Sequence, residues 1–246
     1  MSLDVRIKLK PFQDRFAFSE KRYVAFVGAW GTGKDLSSIV RGMVLSEKYP
    51  NNFGMIARAE ATDLADSTVR DFERYTGIKV DSHRNVKLQN GSEIIFRHLE
   101  ELRGDNLNNL NLGWVCMIQA DEVKDKTVFE KLCGRLRRCH GVCEFAKMSR
   151  AGKDPTLVGV KCSCKQSGFL SANANAEDWI CEMFGSVELG IKGSIPEDLM
   201  DLVEAKTEEN IDVLPAAYAD TIRLVEKTNP PMHQRYVLNS RRVTSD

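Results

Sequence analysis

The segment GAWGTGK, Gly28 to Lys34, constrains this chain more than any other. It follows a short apolar run, YVAFV at residues 23–27, and precedes LSSIVRGMVLSEKY, in which Leu36, Ile39, Val40, Met43 and Val44 recur at helical spacing. The G-x-x-x-x-G-K spacing between a buried strand and a helix N-terminus is that of a phosphate-binding loop, the Walker A arrangement. Glycines let the backbone wrap a phosphate chain, successive N–H groups turn inward, the helix dipole adds partial positive charge, and Lys34 neutralises the outer phosphates. Loop and first helical turn make Gly28, Ala29, Trp30, Gly31, Thr32, Gly33, Lys34, Asp35 and Leu36 the candidate nucleotide-binding residues, with Lys34 a catalytic candidate as well.

One position departs from the pattern. Where such loops carry a Ser or Thr hydroxyl for magnesium, this sequence has Asp35. A carboxylate can bind magnesium, but it adds negative charge beside a triphosphate and, ionised, donates no hydrogen bond. Three readings stay open: Asp35 takes over the metal, the site is weakened, or the residue is an inactivating change. The second element is CMIQADE, Cys116 to Glu122, an apolar run on a separate strand ending in paired acids, of Walker B type. Asp121, at the strand tip, is expected to hold magnesium through water, and Glu122 to polarise the water that attacks the γ-phosphate. The expected cofactors are ATP and Mg2+, with Asp35 and Asp121 as the metal-facing carboxylates.

The rest of the chain alternates strand and helix signals. Phe53 to Ala57 reads as a second buried strand, and Thr62 as the cap of a helix running to about Tyr75 and ended by Gly77. Val86 to Leu88 and Glu93 to Phe96 flank QNGS, where Asn90 and Gly91 tolerate the positive φ of a hairpin turn. Trp114 to Ile118 and Phe169 to Ala172 read as strands, and Thr127 to Arg138 as a helix. This alternation argues for an α/β fold with a mostly parallel central sheet covered by helices on both faces. After Trp179 the sequence turns acidic, with helical segments expected at about 197–209 and 216–228, broken by Pro196, Pro215 and Pro230-Pro231. The expected division is a core over 1–185 and a small helical lid over 186–246.

Charge supports the same partition. Lysines and arginines balance acids over the 246 residues, yet Lys124 to Lys165 holds eleven basic against four acidic residues, and Glu177 to Glu226 thirteen acidic against three basic. A basic face suits a polyanion, and an acidic one avoids it; two solvated surfaces of opposite sign fit the same counts. No apolar run approaches the roughly 20 residues of a membrane helix, so a soluble, cytosolic protein is expected. Seven cysteines point to reduced thiols rather than a disulfide scaffold. Cys139, Cys143, Cys162 and Cys164, with Cys133 and His140 nearby, leave two readings: a zinc site of unusual spacing, or buried and free thiols.

Several segments, in order, resemble the large terminase subunits of tailed bacteriophages: KPFQDRF, RYVAFVGAWGTGKD, NFGMIARAEATDLADSTVRDF, LQNGSEIIF, LRGDNLNNLNLGWVCMIQADEV, FEKLCGRLRR and FLSANANAEDWICEMF. The resemblance covers nearly the whole chain. It implies a RecA-like P-loop ATPase core with a lid, a homo-oligomeric ring at the capsid portal, a small terminase subunit and the portal protein as partners, and double-stranded DNA as the cargo, in the host cytoplasm. It further implies that Gln13 contacts adenine, that Ser171, Ala172 and Asn173 couple hydrolysis to movement, and that Asn173 orients the attacking water or senses the γ-phosphate. Arg103 in LRGD matches the family's trans-acting arginine, a surface ion pair being its other reading; Arg58 is the runner-up. The family usually carries a carboxy-terminal nuclease, and the sequence stops at RRVTSD, about where that domain begins, so no nuclease activity is expected.

The expected function is therefore an ATPase, the hydrolysing motor domain that drives double-stranded viral DNA into a procapsid. Two alternatives remain: a nucleotide-binding but hydrolytically silent assembly module, on account of Asp35, and a related helicase-type ATPase, which requires a second motor domain or motifs not found.

Overall fold

The computed structural model describes residues 7–102, 107, 109–140, 143–174 and 178–242. Its centre is a seven-stranded, mostly parallel sheet. The strands are β1 (Tyr23–Gly28), β2 (Phe53–Arg58), β3 (Asn85–Lys87), β4 (Glu93–His98), β5 (Trp114–Met117), β6 (Ser167–Ala172) and β9 (Met200–Ala205), in the order β3-β4-β2-β5-β6-β1-β9; β7 (Gly185–Ser186) and β8 (Ile191–Lys192) form a separate pair. Strand β2 runs parallel to β4 and β5, β1 runs parallel to β9, and β3 is antiparallel to β4. β5 and β6 are buried throughout, as the unalternating apolar pattern of interior parallel strands demands. Among the described residues no helix is long and apolar enough to cross a membrane.

The chain gathers into two compact units. Of the described residues, the first comprises 39–102, 107, 109–117, 127–140 and 143–169. Most of helix α2 (Lys34–Lys48) belongs here, with α3 (Ala61–Asp63), α4 (Arg70–Thr76), α5 (Thr127–Cys133) and α6 (Glu144–Arg150). Its core is organised by Trp114, fully buried, whose indole N–H donates to Ser46 Oγ at 3.0 Å. The ring lies so close to β2 that a Cβ on Gly54 would stand 1.9 Å from it, and one on Gly42 of α2 2.8 Å. In the same core, buried Arg41 donates to Ser167 Oγ at 3.0 Å and caps the Phe169 ring. The expected hairpin is present as β3 and β4, with Gly91 at φ +81° while the Asn90 side-chain Oδ1 accepts the Ser92 amide.

Of the described residues, the second unit comprises 7–38, 118–126, 170–174 and 178–242. It contains α1 (Pro11–Phe18), β1, β9, α7 (Trp179–Phe184), α8 (Ala216–Thr228) and α9 (Pro230–Tyr236). Phe12 and Phe16 of α1 pack on Phe26 of β1. Arg241, 1% exposed, joins Asp178 at 3.3 Å and Glu204 at 3.7 Å.

Four local expectations are corrected. Residues 200–205, read as part of an acidic helix, form β9: Val203 and Ala205 turn inward at period two, while Asp201 and Glu204 find Arg15 and Arg241, so the acids that suggest a solvated helix are ion-paired on a strand. The helical part of the carboxy-terminal segment therefore begins at the 3-10 turn Thr207–Val213. Thr62 does not cap its helix; Glu60 occupies that place, and a π turn over Leu64–Val69 separates α3 from α4, with Gly77 closing the run at φ +69°. Helix α5 stops at Cys133, ahead of Gly134, rather than at Arg138. Pro230 and Pro231 begin α9 instead of only ending α8, because a first helical turn needs no proline N–H and Asn229 caps Met232 N at 3.1 Å.

Candidate nucleotide-binding site

β1 delivers the chain at Gly28 and α2 takes it up at Lys34, so the intervening loop lies where the sequence pattern places it. Gly31 and Gly33 have φ of +74° and +73°, and a Cβ at Gly28 would stand 2.6 Å from Thr32 Oγ1. The direction of the loop's polar groups decides what it can bind. Trp30 O accepts from Thr207 Oγ1 (2.7 Å), Gly31 O from Asn210 Nδ2 (2.6 Å), Thr32 O from Gln13 Nε2 (2.7 Å) and Ala29 O from Thr32 Oγ1 (2.8 Å). Gly33 O takes the Ser37 amide and hydroxyl, both at 2.9 Å. Every carbonyl from Ala29 to Gly33 thus has a protein donor, whereas among the described residues the amides of Gly31, Gly33 and Asp35 have no acceptor. A nest of N–H groups with its carbonyls occupied favours an anion, and Lys34, 7% exposed, adds the charge.

The loop is also braced. The Trp30 amide donates to Tyr236 O at 2.6 Å and its ring stacks on Tyr236 with centroids 4.6 Å apart, while the Arg235 guanidinium lies over the Tyr236 ring, 4.9 Å from its centroid. Gln13 is 3% exposed, and besides holding Thr32 O it accepts the Lys10 amide at 2.9 Å through Oε1. One Nε2 hydrogen and one Oε1 lone pair are spent on the protein; Gln13 is first a brace of the loop.

The acids come together through a short polar chain. Strand β5 ends at Met117, and Gln119, in the left-handed region at φ +53°, turns the backbone into a 3-10 turn over Ala120–Glu122; Asp121 and Glu122 therefore sit on that turn and not on the strand tip expected. Asp121, with an 8% exposed side chain, accepts Asn173 N through Oδ1 and Asn173 Nδ2 through Oδ2, both at 3.0 Å, and Arg235 Nη2 stands 4.0 Å from it. The same Asn173 amide donates to Gln119 Oε1 at 3.0 Å, and Gln119 Nε2 reaches toward Asp35 Oδ2 at 3.5 Å. Asp35 Oδ1 accepts from Ser171 Oγ at 3.2 Å. Asn173 Oδ1 is buried and without a hydrogen-bond partner, which leaves one acceptor to spare on the residue that clamps Asp121. Glu122 is exposed on the same turn. Elsewhere in this unit, burial raises the Asp178 carboxyl above its usual range, against the Cys181 amide and the Arg241 guanidinium.

The structure thus assembles Lys34, Asp35, Asp121, Ser171 and Asn173 in the second unit, with Gln13 on the loop, Leu36 half-buried in the first turn of α2 and Ala172 buried in β6. Arg58 belongs to the first unit, where it faces Thr68 Oγ1 at 3.4 Å and Asp63 at 3.7 Å. Arg103 lies outside the described residues. Gln119, Thr207, Asn210, Arg235 and Tyr236 escape a reading of the sequence. Each is an ordinary polar or aromatic residue there, and only the chain path brings it to the loop or the acids.

No protein-family model matches the chain, and no curated protein is similar to it in sequence. Solved structures are similar in fold. The large terminase of a thermophilic bacteriophage, in complex with ADP, superposes with a TM-score of 0.64 over 95% of this chain and 54% of its own, at 13% identity. The ATPase domain of the Thermus phage P74-26 large terminase gives 0.64 over 96% of this chain and 95% of its own, at 12% identity. The fold is that of a large-terminase ATPase domain. The HK97 bacteriophage large terminase gives 0.56 over 96% of this chain and 51% of its own, at 14% identity. The chain spans about half the length of the ADP-bound thermophilic phage terminase and of the HK97 protein, and nearly all of the P74-26 domain. The fold is RecA-like, as the resemblance in the sequence implies.

Proposed function

We propose that this chain is an ATP-hydrolysing motor domain that moves double-stranded viral DNA into a procapsid. The observation that carries the reading is the loop whose carbonyls are all occupied and whose Gly31, Gly33 and Asp35 amides are not, on the same compact unit as the Asn173-clamped Asp121. In this reading the amides and Lys34 hold the β- and γ-phosphates, Gln13 offers its remaining polar edge to the base, and Glu122 takes a proton from the water that Asn173 Oδ1 orients. Water adds to the γ-phosphorus, the bond to the β-γ bridging oxygen breaks, and ADP and phosphate leave. Asp35 directly and Asp121 through water would hold Mg2+, whose charge would offset that of the phosphates.

The helical segment after β9, with α8 and α9, serves as the lid, and Arg103 acts on a neighbouring copy in a ring at the portal, where the small terminase subunit also docks. The exposed Lys131, Arg137, Lys147, Arg150, Lys153, Lys161 and Lys165 suit the phosphates of the DNA, which a translocating motor must contact without reading sequence. Such work belongs in the host cytoplasm.

The test is phosphate release with and without a single substitution. Lys34→Ala loses nucleotide affinity; Glu122→Gln keeps it and loses turnover by about two to four orders of magnitude. Equal turnover in wild type and Glu122→Gln refutes the assignment. A second reading, a hydrolytically silent assembly module, draws on the engagement of Asp35 by Ser171. It is separated by Asp35→Ser: phosphate release by that variant alone favours it.

A further inference from the structure

The segment between α5 and β6, an excursion that carries α6, holds a feature that the nucleotide site does not use. From Cys139 to Gln166 only His140, Cys143, Ala146 and Pro155 are buried among the described residues, while Leu157 and Val158 are 83% and 64% exposed. Such a loop has too little apolar surface to hold its own shape, and closing more than about 20 residues costs entropy that something must offset. What lies at its base is four thiols. Cys139 and Cys143 approach it from one side and Cys162 and Cys164 from the other, and all four Sγ atoms lie within 4.8 Å of one another. The spacings are 3.2 Å for Cys139 and Cys143, 3.8 Å for Cys139 and Cys164, and 4.0 Å for Cys143 and Cys162.

Those distances suit a zinc ion better than a disulfide. Thiolates at about 2.3 Å from a tetrahedral zinc ion stand about 3.8 Å apart, which is the middle of the observed range, whereas a disulfide brings two sulfurs to about 2.0 Å and leaves the other two thiols unexplained. All four cysteines are free. One backbone donor already serves a sulfur of the cluster: the Ala146 amide points at Cys143 Sγ at 3.4 Å, the hydrogen bond that a thiolate accepts. The sequence flanks the cluster with Arg138, Lys161 and Lys165, cations that suit the two net negative charges of a tetrathiolate zinc.

We propose that Cys139, Cys143, Cys162 and Cys164 bind one structural zinc ion that staples this loop. Four sulfur ligands leave no open position, so the ion carries no catalysis. Its work is to fix an excursion bearing Lys147, Arg150, Lys153 and Lys161 on an exposed surface. The C-x-x-x-C and C-x-C spacings are not those of a common zinc knuckle, which is why sequence alone leaves the question open.

The test uses the full chain, expressed with zinc in the medium and purified in reductant without chelator. Metal analysis is expected to give one zinc per chain, and Cys162→Ser and Cys164→Ser to lower occupancy by about tenfold or more, while Cys181→Ala, which removes a buried thiol elsewhere, leaves it unchanged. Because a ligand variant can misfold, the wild-type protein is also loaded with Co2+ in place of zinc. Sulfur-to-cobalt charge transfer and the visible bands of tetrahedral cobalt are expected. Substoichiometric zinc in wild type together with no thiolate–cobalt bands overturns the proposal, as does full zinc occupancy in all four single Cys→Ser variants.

Discussion

The Asn173 clamp on Asp121 can be tested by exchanging one atom. In Asn173→Asp the nitrogen that donates to Asp121 Oδ2 at 3.0 Å becomes an oxygen, and the donor to Gln119 Oε1 is lost with it. Two unit charges at that separation repel by about 5 kcal/mol at an effective dielectric constant of about 20. Asp121 is too buried, at 8% exposure, for water to screen most of this. The pair escapes by keeping one proton, which belongs to the pair rather than to either residue. The folded pair then holds a proton more tightly than the unfolded chain, whose carboxylates titrate at about 4. Above that range the folded state binds more protons, and stability falls as pH rises. Asn173→Ala supplies the control. It loses a hydrogen bond to a charged group, about 1.5–3 kcal/mol, and one to a neutral group, about 1 kcal/mol, but relieves the buried, unpartnered Oδ1. Its net cost is about 1–2 kcal/mol and is the same at both pH values used below. Urea denaturation of wild type and both variants at about pH 5 and pH 8, compared at constant slope, reads the difference. The aspartate penalty should approach the alanine penalty at the lower pH and exceed it by several kcal/mol at the higher. Equal penalties for the two variants at both pH values refute the clamp geometry.

Two further predictions follow from packing. Gly54→Ala drives a methyl into the Trp114 ring, 1.9 Å away, and should cost about 1–3 kcal/mol; a melting temperature within a degree of wild type contradicts that approach, and a smaller residue at 114 should recover part of the loss. Gln13→Ala strips the donor from Thr32 O and should weaken nucleotide binding about tenfold, for a cost of about 1–2 kcal/mol in loop order; calorimetry showing unchanged affinity would mean that the loop holds its shape without the brace.

The parts legible in the sequence are those in which local pattern and fold agree. YVAFVG has room only as an interior strand, and GAWGTGK only as the turn from it into a helix, so β1, the loop and α2 are all readable. Segment 200–205 is not, because Asp201 and Glu204 make a half-buried strand look like a solvated helix until Arg15 and Arg241 are seen beside them. The loop braces are invisible for a different reason. Thr207, Asn210 and Tyr236 lie far along the chain from the carbonyls and ring they meet, and no local periodicity records such a contact. The thiol cluster lies between these cases: its members are visible, but the path that returns Cys162 and Cys164 to Cys139 is not.

Asp35 reads differently once its neighbours are known. The hydroxyl that the loop lacks is present in the site after all, on Ser171 of β6, bonded to the carboxylate that took its place. Relative to a serine at position 35, the site has gained one negative charge. Without magnesium that charge opposes a polyphosphate by roughly 1–2 kcal/mol for a half-buried group, about tenfold in affinity. With magnesium it would supply, in addition to Asp121, a second carboxylate for a hard cation that prefers oxygen ligands. The two effects have opposite signs, so the exchange should make nucleotide binding more dependent on magnesium rather than uniformly weaker. The ratio of affinities for a non-hydrolysable ATP analogue in magnesium and in EDTA should be larger for wild type than for Asp35→Ser, by about tenfold or more. A ratio that is equal in the two proteins, or smaller in wild type, means that the Asp35 carboxylate stays with Ser171 and Gln119 and takes no part in holding the metal.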